Sequence, residues 1–548
     1  MTPPLRERWF DELARRPGLW AWTIITVSLA VRLWFVASGQ LDLVQDEAQY
    51  WDWSRRLQWS YYSKGPLIAW VIGFWTHLFG STELGVRMGA VVNATVAQIM
   101  LWYGVSRLMG RPRLAVLSLA VANTMPLFLA AGVLMTTDNI LLVCWLGGLL
   151  CLYALTRPAS APGASRALPL FLLGACMAAG NLAKYMMLAQ FAVAVPYFWL
   201  LHRQRLLPPR VAVRALAAMS AGTVIGYLPI LIWNMQNDWV GVLHVTTLAG
   251  VTGTAGKSLI RLDTVPEFLG AQFGVATPWW MLLMLFAGWR AARLAWRGLG
   301  ATNAEDAAAT PGADASPAAR VRQAALLACA FWPLWLAMFL WSFHTRIYAN
   351  WPGMSYVGGI ILAAAGLERL LAGFGSYRAR RLALLWPALG LILFFAVFGQ
   401  NALPLPPEFN PAARLKGWAD LGNKLETLSR GLSNPDKVFY FGEGYDVTAE
   451  LAFYAPGQPI AYSADFGRRR SQYDLWPGPD EQGDNRIGWD AIYVNTKDHT
   501  PRQLYAMFDS VTVFPYQSTH RGKPGRKFTI ALLRNFNGYW PHSAHARY

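Results

Sequence analysis

The stretch Leu41–Arg87, which reads LDLVQDEAQYWDWSRRLQWSYYSKGPLIAWVIGFWTHLFGSTELGVR, decides how the chain is interpreted. It follows an apolar run of membrane-spanning length, Leu19–Ser38, and begins with two adjacent carboxylates, Asp46 and Glu47. Aromatic residues, one lysine and a Gly-Pro pair come next. A simple connecting loop is short and rich in Gly, Asn and Ser. The composition therefore predicts a functional loop beside a membrane, over residues 39–85.

The overall composition indicates a polytopic membrane protein. Hydrophobic residues make up 54% of the chain and charged residues only 14%, whereas globular domains carry about 25% charged residues. Charge in a bilayer core is costly, which explains the deficit. The net charge of +17 does not predict a nucleic-acid partner, because the arginines lie mostly in short loops between apolar runs. The 4 cysteines lie in apolar runs, so we expect neither a disulfide framework nor a paired CxxC metal site.

Further apolar runs recur along the chain, each long enough to cross a hydrocarbon core. They lie near 86–106, 114–134, 139–155, 168–185, 187–201, 213–233, 277–296, 324–343, 352–371 and 382–400. With an uncertain piece at 66–79, which is either a span or a re-entrant or surface helix, we expect about 11–13 transmembrane helices. The loop arginines alternate as the positive-inside rule requires, which places the loop 39–85 and the C-terminus outside.

A soluble segment follows the last span. Residues 300–320 form an Ala/Pro/Asp-rich linker that we expect to be disordered. From residue 401 the pattern predicts helices near 411–430 and 446–455, and strands near 437–442, 459–464, 491–495, 510–516 and 528–534. Alternating helices and strands indicate a small α/β domain. We therefore divide the chain into a transmembrane domain, 1–400, and a soluble α/β domain, 401–548, which is periplasmic if the organism is Gram-negative.

Three carboxylates at the predicted outer face are candidates for chemistry. Asp46 and Glu47 follow the first span, and Asp138 begins another. Each acid has a structural interpretation as a helix cap. Acids gathered at one membrane face also suit a general base or a cation site.

Basic residues at the same face have two interpretations. Lys64 and Lys184 either snorkel to the interface or neutralise a phosphate. Arg32 lies inside the first span, where an arginine usually faces the bundle or a cavity. His344, Arg346 and Asn350 form a dense polar cluster, with an aromatic belt as the alternative. A divalent metal ion bound by a loop histidine, His244, with Asp46, Glu47 or His344 is an option that the spacing does not specify.

These residues lie in motifs that resemble those of the C-type (GT-C) membrane glycosyltransferases. The resemblance is strongest to the bacterial dolichyl-phosphate-mannose–protein mannosyltransferase-like family, which includes the aminoarabinose transferase of lipid A. The matching pieces, in order, are QDEAQYW (45–51), YYSKGPLIAW (61–70), GVR (85–87), TTDN (136–139), LAKY (182–185), WNMQNDW (233–239), FLGAQFG (268–274), RIYANWP (346–352), AELAFYAPG (449–457) and RRRSQYDLWPG (468–478). No single motif decides the resemblance; the ordered set carries it.

The resemblance implies a GT-C fold and assigns roles to particular residues. It implies Asp46 as the catalytic carboxylate, with Glu47 beside it and Asp138 as a further acid. The residues that we expect to bind phosphates of donor or acceptor are Lys64, Arg87, Lys184 and Arg346. The residues that we expect to contact substrate are Tyr50, Tyr61, Tyr62, His344 and Asn350. Two positions depart from the related lipid A transferases, because Gln49 stands where they carry arginine and Ser63 where they carry an acid.

The expected function is sugar transfer at the outer face of the bacterial inner membrane. The resemblance implies a polyprenyl-phosphate-linked donor and inversion at the sugar carbon. We favour lipid A or another envelope glycolipid as acceptor, with protein O-glycosylation or polysaccharide branching as alternatives. A transporter or flippase is a different class, but transporters often show internal repeats and mid-membrane polar residues. This chain shows no repeat, and its unusual polar residues gather at one face.

Overall fold

The computed structural model describes residues 15–158, 165–251, 260–301, 316–373, 385, 389–390, 392, 416–432, 434–481, 485–520 and 522–542. Four features expected from the sequence lie wholly or partly outside these residues: the basic N-terminal segment, most of the linker 300–320, most of the span 382–400, and the start of the helix near 411–430.

The chain divides into two compact units. The first contains residues 1–34, 90–232 and 254–399, and the second contains residues 35–89, 233–253 and 400–548. The functional loop 39–85 therefore belongs to the same unit as the C-terminal segment. A single boundary at residue 400 does not separate the two units, because the second unit is assembled from three separate stretches of chain.

Helices make up nearly all of the first unit. Their bounds are α1 Pro17–Ala37, α4 Glu83–Tyr103 with a π-helical turn Gly104–Leu108, α5 Pro112–Ala122, α6 Pro126–Ala131, α7 Thr137–Thr156, α8 Ala167–Ala183, α9 Gln190–Arg203, α10 Pro209–Gln236, α12 Thr264–Ala276, α13 Pro278–Arg297, α14 Pro317–Trp341 and α15 Ser355–Gly373. Both α1 and α4 begin in one unit and end in the other. The core is apolar, with Trp145, Trp280 and Phe331 fully buried.

Seven helices among the described residues are long and apolar enough to cross a membrane, and the pair α12 and α13, bent by 100°, adds an eighth. Shorter apolar helices occupy Leu67–Phe79, Pro112–Ala122 and Ala167–Ala183. The prediction of a polytopic helical membrane protein is confirmed. The expected span 114–134 is two helices instead, because Pro126 has no N–H and disfavours helical geometry at Met125, which is extended (φ −95°, ψ 124°).

The second unit contains α2 Gln45–Ser54, α3 Leu67–Phe79, α11 Val240–Leu248, α16 Trp418–Arg430, β1 Val438–Gly442, α17 Tyr445–Tyr454, β2 Ala461–Ser463, β3 Asp490–Asn495, α18 Leu504–Met507, β4 Phe508–His520 and β5 Lys523–Phe536. The strands form one sheet in the order β2-β1-β3-β5-β4. β1 is parallel to β2 and β3, whereas β5 is antiparallel to β3 and β4. Within the described residues, the predicted α/β character of the C-terminal segment is confirmed.

Candidate active site

The acidic motif of the loop forms the first turn of α2. Glu47 accepts the N–H of Val44 at 3.0 Å, which is half of a capping box and satisfies one N–H group at the helix start. Two acids in a first turn also interact favourably with the helix dipole. The interpretation of the acidic pair as a helix cap therefore holds for Glu47.

Glu47 forms a buried ion pair with Arg87. Arg87 donates to Glu47 from Nη2 at 2.8 Å and from Nε at 3.1 Å, and the side chains of Arg87 and Glu47 are 2% and 0% exposed. Arg87 also donates to the carbonyl oxygens of Leu41 and Asp42, both at 2.7 Å. These contacts hold the loop in position, and the phosphate contact expected for Arg87 from the sequence stays a prediction. Glu47 likewise supports Asp46 structurally.

Asp46, by contrast, reaches solvent. The Tyr445 hydroxyl, from the first turn of α17, makes a long contact of 3.5 Å with Asp46 Oδ1. The surrounding protein removes much of the water near the carboxylate and raises the pKa of Asp46, while the positive charges of Lys64 and Arg469 lower it. A solvent-accessible carboxylate with a raised pKa and two cations nearby suits a general base.

The three tyrosines expected to contact substrate are buried instead. Tyr61 stacks on Trp53, with ring centroids 4.4 Å apart, and donates to the Trp53 carbonyl at 3.0 Å. Tyr50 packs against the same tryptophan at 5.1 Å. Tyr62 is 3% exposed, and its N–H donates to Gln472 Oε1 at 2.7 Å. These rings pack around the turn that carries Lys64, and their expected substrate contacts stay predictions.

His244 packs against the Tyr62 ring, with centroids 4.9 Å apart. Burial, Arg469 and Lys64 lower the pKa of His244 to about 4, so the ring is neutral at neutral pH. In the part of the chain that the structure describes, one group of His, Asp and Glu side chains has ligand atoms within 4.8 Å of one another: Asp480, Glu481 and His542. None of the residues considered above for a divalent ion belongs to that group, and a metal ion at Asp46 stays a hypothesis.

A second polar cluster lies within the first unit. Lys184 Nζ is 2.6 Å from Asp138 Oδ1, and Asn350 donates to Asp138 Oδ2 at 2.7 Å. Asp138 belongs to the first turn of α7, where the helix dipole favours an anion. Lys184 directly follows α8, and its backbone is extended (φ −159°, ψ 134°). The structure thus brings together three of the residues selected from the sequence.

Two other selected residues lie apart from this cluster. Arg346 pairs with Glu267 at 2.6 Å, and both side chains are well exposed. His344 packs edge-on against Trp341, with ring centroids 5.3 Å apart. The phosphate contact expected for Arg346 and the substrate contact expected for His344 stay predictions.

The contacts that join the Asp46 loop to C-terminal residues were not predicted from the sequence. Tyr454 accepts the N–H of Leu43 at 2.7 Å and donates to Glu83 at 2.6 Å. Asp42 accepts the N–H of Trp418 at 2.7 Å. The contact of Tyr445 with Asp46 also joins the loop to a C-terminal residue, and the positive charge of Arg469 acts on Asp46. Tyr454 and Arg469 do lie in the quoted motifs AELAFYAPG and RRRSQYDLWPG, but the motifs do not reveal which residue they contact.

Part of the chain matches a known family model. Residues 63–246 match the family model described as dolichyl-phosphate-mannose-protein mannosyltransferase. Those residues are similar to the domain that this family shares. The match includes Lys64, Asp138 and Lys184 but begins after Asp46, so the role of Asp46 does not rest on it.

Similar proteins extend the comparison beyond the mannosyltransferase-family domain. The lipid A galacturonosyltransferase RgtD of Rhizobium johnstonii is 30% identical over 344 residues, which are 62% of this chain and 64% of that relative. The crystal structure of ArnT from Cupriavidus metallidurans bound to undecaprenyl phosphate superposes with a TM-score of 0.60 at 16% identity, covering 93% of this chain and 98% of ArnT. The oligosaccharyltransferase AglB from Archaeoglobus fulgidus gives 0.51 at 10% identity, covering 87% and 70%. The predicted GT-C fold is confirmed.

Proposed function

We propose that the protein transfers a sugar from a polyprenyl-phosphate-linked donor to lipid A or a related envelope glycolipid. The observation that carries this proposal is the solvent-accessible Asp46 beside Lys64, on a loop fixed by the buried Glu47–Arg87 pair. The mannosyltransferase-family domain supports the donor class, and the likeness to RgtD supports the acceptor.

The proposed reaction breaks the bond between the sugar's anomeric carbon and the donor phosphate oxygen. The acceptor oxygen forms the new bond, and the lipid phosphate leaves with the electron pair. Cations near the leaving group stabilise its charge, and Lys64 and Arg469 are suitably placed around Asp46 for this task. Inversion at the sugar carbon follows if the acceptor attacks opposite the leaving phosphate.

The demand on Asp46 depends on the acceptor. A hydroxyl must lose its proton during attack, and a carboxylate with a raised pKa is a stronger base than an ordinary one. A phosphate monoester is already largely ionised at neutral pH, because its second pKa is about 6. In that case Asp46 orients the acceptor or a cation instead.

The cluster of Asp138, Lys184 and Asn350 is a second candidate for binding a substrate phosphate. Asp138 holds the Lys184 ammonium, and Asn350 in turn donates to the other carboxylate oxygen of Asp138 and fixes its orientation. A lysine held in this way presents a point charge to a phosphate without a further ordering cost. We propose this role for Lys184 on the same footing as the role of Lys64.

We place the reaction at the outer face of the bacterial inner membrane, with the C-terminal segment in the periplasm. The distribution of arginines in the sequence supports this orientation. A lipid-linked donor keeps its chain in the bilayer, so a site at the membrane interface is accessible to it. The short apolar helix α3, directly after Lys64, suits such an interface.

A protein acceptor is the second candidate, because the matching family model is described by a protein mannosyltransferase. Mass spectrometry separates the two. Lipid A and envelope proteins from cells with the intact gene, with a deletion, with Asp46→Asn and with Asp498→Asn would be compared. Asp498 is an exposed acid outside the site and serves as the matched control.

We expect a sugar-sized mass on lipid A in the intact and Asp498→Asn strains, and its loss in the other two. A sugar on proteins instead of lipid A would overturn the acceptor and retain the reaction. Full modification with Asp46→Asn would remove Asp46 as the catalytic carboxylate. No gene-dependent sugar on lipid A, protein or polysaccharide would overturn the transferase itself.

A further inference from the structure

A cavity in the first unit contains an arginine that the proposed reaction does not use. Arg32, in the last third of α1, is 3% exposed, and the cavity beside it measures about 50 Å³. Arg32 Nη2 donates to Asn123 Oδ1 at 3.0 Å. Its Nε and Nη1 atoms are buried and have no hydrogen-bond partner within the part of the chain that the structure describes.

Two helix ends hold the guanidinium in this position. Asn123 caps the C-terminus of α5, and Gly132 caps the C-terminus of α6. The C-terminal end of a helix carries partial negative charge and favours a cation. A Cβ atom at Gly132 would overlap the Arg32 guanidinium, so glycine is what permits this close approach. The break in the helix pair at Pro126 therefore creates the place where Arg32 lies.

Hydrogen bonds also fix the polar end of the cavity. Asn123 donates from Nδ2 to Gln98 Oε1 at 2.8 Å, and Ser28 donates to the same oxygen at 3.1 Å. This orients Asn123 with its Oδ1 towards Arg32. These hydrogen bonds therefore hold the polar end of the cavity in one arrangement.

The rest of the cavity is apolar. Its described walls include Ala94, Ala97, Leu101, Phe128 and Leu146, and no acidic residue is among the described residues that line it. A buried charge without a counter-charge is costly, especially in a membrane-spanning segment. An anion from outside the chain would remove that cost, and apolar walls suit an alkyl chain attached to it.

We propose that this cavity binds the phosphate end of a membrane lipid, with Arg32 donating to a phosphate oxygen and the first part of the alkyl chain lying against the Ala97 wall. A guanidinium is well matched to phosphate, because its N–H groups form a planar fork. The space of about 50 Å³ accommodates the end of one lipid and not a whole molecule. The site is independent of the transfer reaction proposed above.

The test uses the full chain, purified in a lipid-free detergent, and follows its thermal unfolding. The probes are undecaprenyl phosphate, phosphatidylglycerol, diacylglycerol and inorganic phosphate. A ligand that binds only the folded state raises the unfolding temperature. We expect both phosphate lipids to raise it by several degrees, and we expect diacylglycerol and inorganic phosphate, which each lack one half of the ligand, to leave it unchanged.

Three variants assign the effect to the cavity. Arg32→Met should weaken the affinity for the phosphate lipids roughly 10- to 100-fold, as expected for a lost hydrogen bond to a charged group. Ala97→Leu fills the apolar wall while keeping Arg32, so it should weaken binding even if Arg32→Met does not fold. Arg322→Met is the control, since Arg322 is another buried arginine in a spanning helix and bonds the Leu206 carbonyl at 3.4 Å.

A difference between the two phosphate lipids would identify the source of the ligand. An equal temperature rise with diacylglycerol, or with inorganic phosphate, would overturn the proposal, as would unchanged affinity in both Arg32→Met and Ala97→Leu. An experimental map with only water on Arg32 Nε and Nη1 in lipid-saturated protein would also overturn it. A variant that loses sugar transfer but still binds lipid, or one that loses lipid binding but still transfers sugar, would show that this site and the proposed enzyme activity are separate.

Discussion

The buried pair of Glu47 and Arg87 should control the order of the loop that carries Asp46. Changing Arg87 to methionine removes the guanidinium while keeping a long apolar side chain. Glu47, which is 0% exposed, is then left as a buried carboxylate without its counter-charge. The carbonyl oxygens of Leu41 and Asp42 lose their donor as well. We expect the loop and the first turn of α2 to open far more often in this variant.

The size of the effect follows from the burial of both partners. Removing one partner of a buried ion pair costs about 3–5 kcal/mol. Each 1.36 kcal/mol is a factor of ten in an equilibrium constant, so local opening should become roughly 100- to 4,000-fold more frequent. The control is Arg430→Gln, which removes an exposed i,i+4 pair with Glu426. Such a pair contributes about 0.3–0.5 kcal/mol, so opening there should change about twofold.

Hydrogen exchange followed by mass spectrometry measures this opening directly. Peptides that cover residues 41–54 should lose most of their protection in Arg87→Met, whereas peptides from the sheet strand β3 should keep theirs. The double variant Glu47→Leu/Arg87→Met should be less destabilised than the sum of the two single variants, because no unpaired charge remains. The reasoning fails if Arg87→Met exchanges like Arg430→Gln, or if the two single effects add without coupling.

Three further predictions concern other parts of the chain. Lys64→Gln should move the acid limb of the kcat/KM profile to higher pH. Lys64 lowers the pKa of Asp46, so without Lys64 this base stays protonated up to a higher pH. A pH–rate profile whose acid limb does not move would contradict this. Lys184→Met should reduce the transfer rate roughly 10- to 100-fold, which is the value of a charge-assisted hydrogen bond, and an unchanged rate in a lipid-linked sugar assay would exclude a phosphate contact. Gly85→Ala should cost about 1–3 kcal/mol, because its Cβ would overlap a carbonyl oxygen of the chain. Gly274→Ala, with open space at its Cβ, should be neutral or stabilising by comparison in thermal unfolding.

The sequence predicted the elements well because apolar length and strand patterning are local properties. The spans around α7, α10 and α14 and the strands β1 and β3 lie close to their expected positions. The contacts of individual side chains are harder to predict, since they depend on packing between distant segments. Tyr61 looked like a substrate contact from its position beside Lys64, but it stacks on Trp53. Tyr445 lies about 400 residues after Asp46, and no local pattern reveals that contact.

The side chains of Asp46 and Glu47 have different surroundings, which shows why residues adjacent in sequence need not share a role. Consecutive residues of an α-helix point about 100° apart, because the helix has 3.6 residues per turn. The two side chains of such a pair therefore point in different directions. Glu47 faces Arg87 and is buried, whereas Asp46 is turned towards solvent. The capping interpretation of the motif applies to Glu47, and the proposed catalytic role applies to Asp46, so the two interpretations do not compete for the same residue.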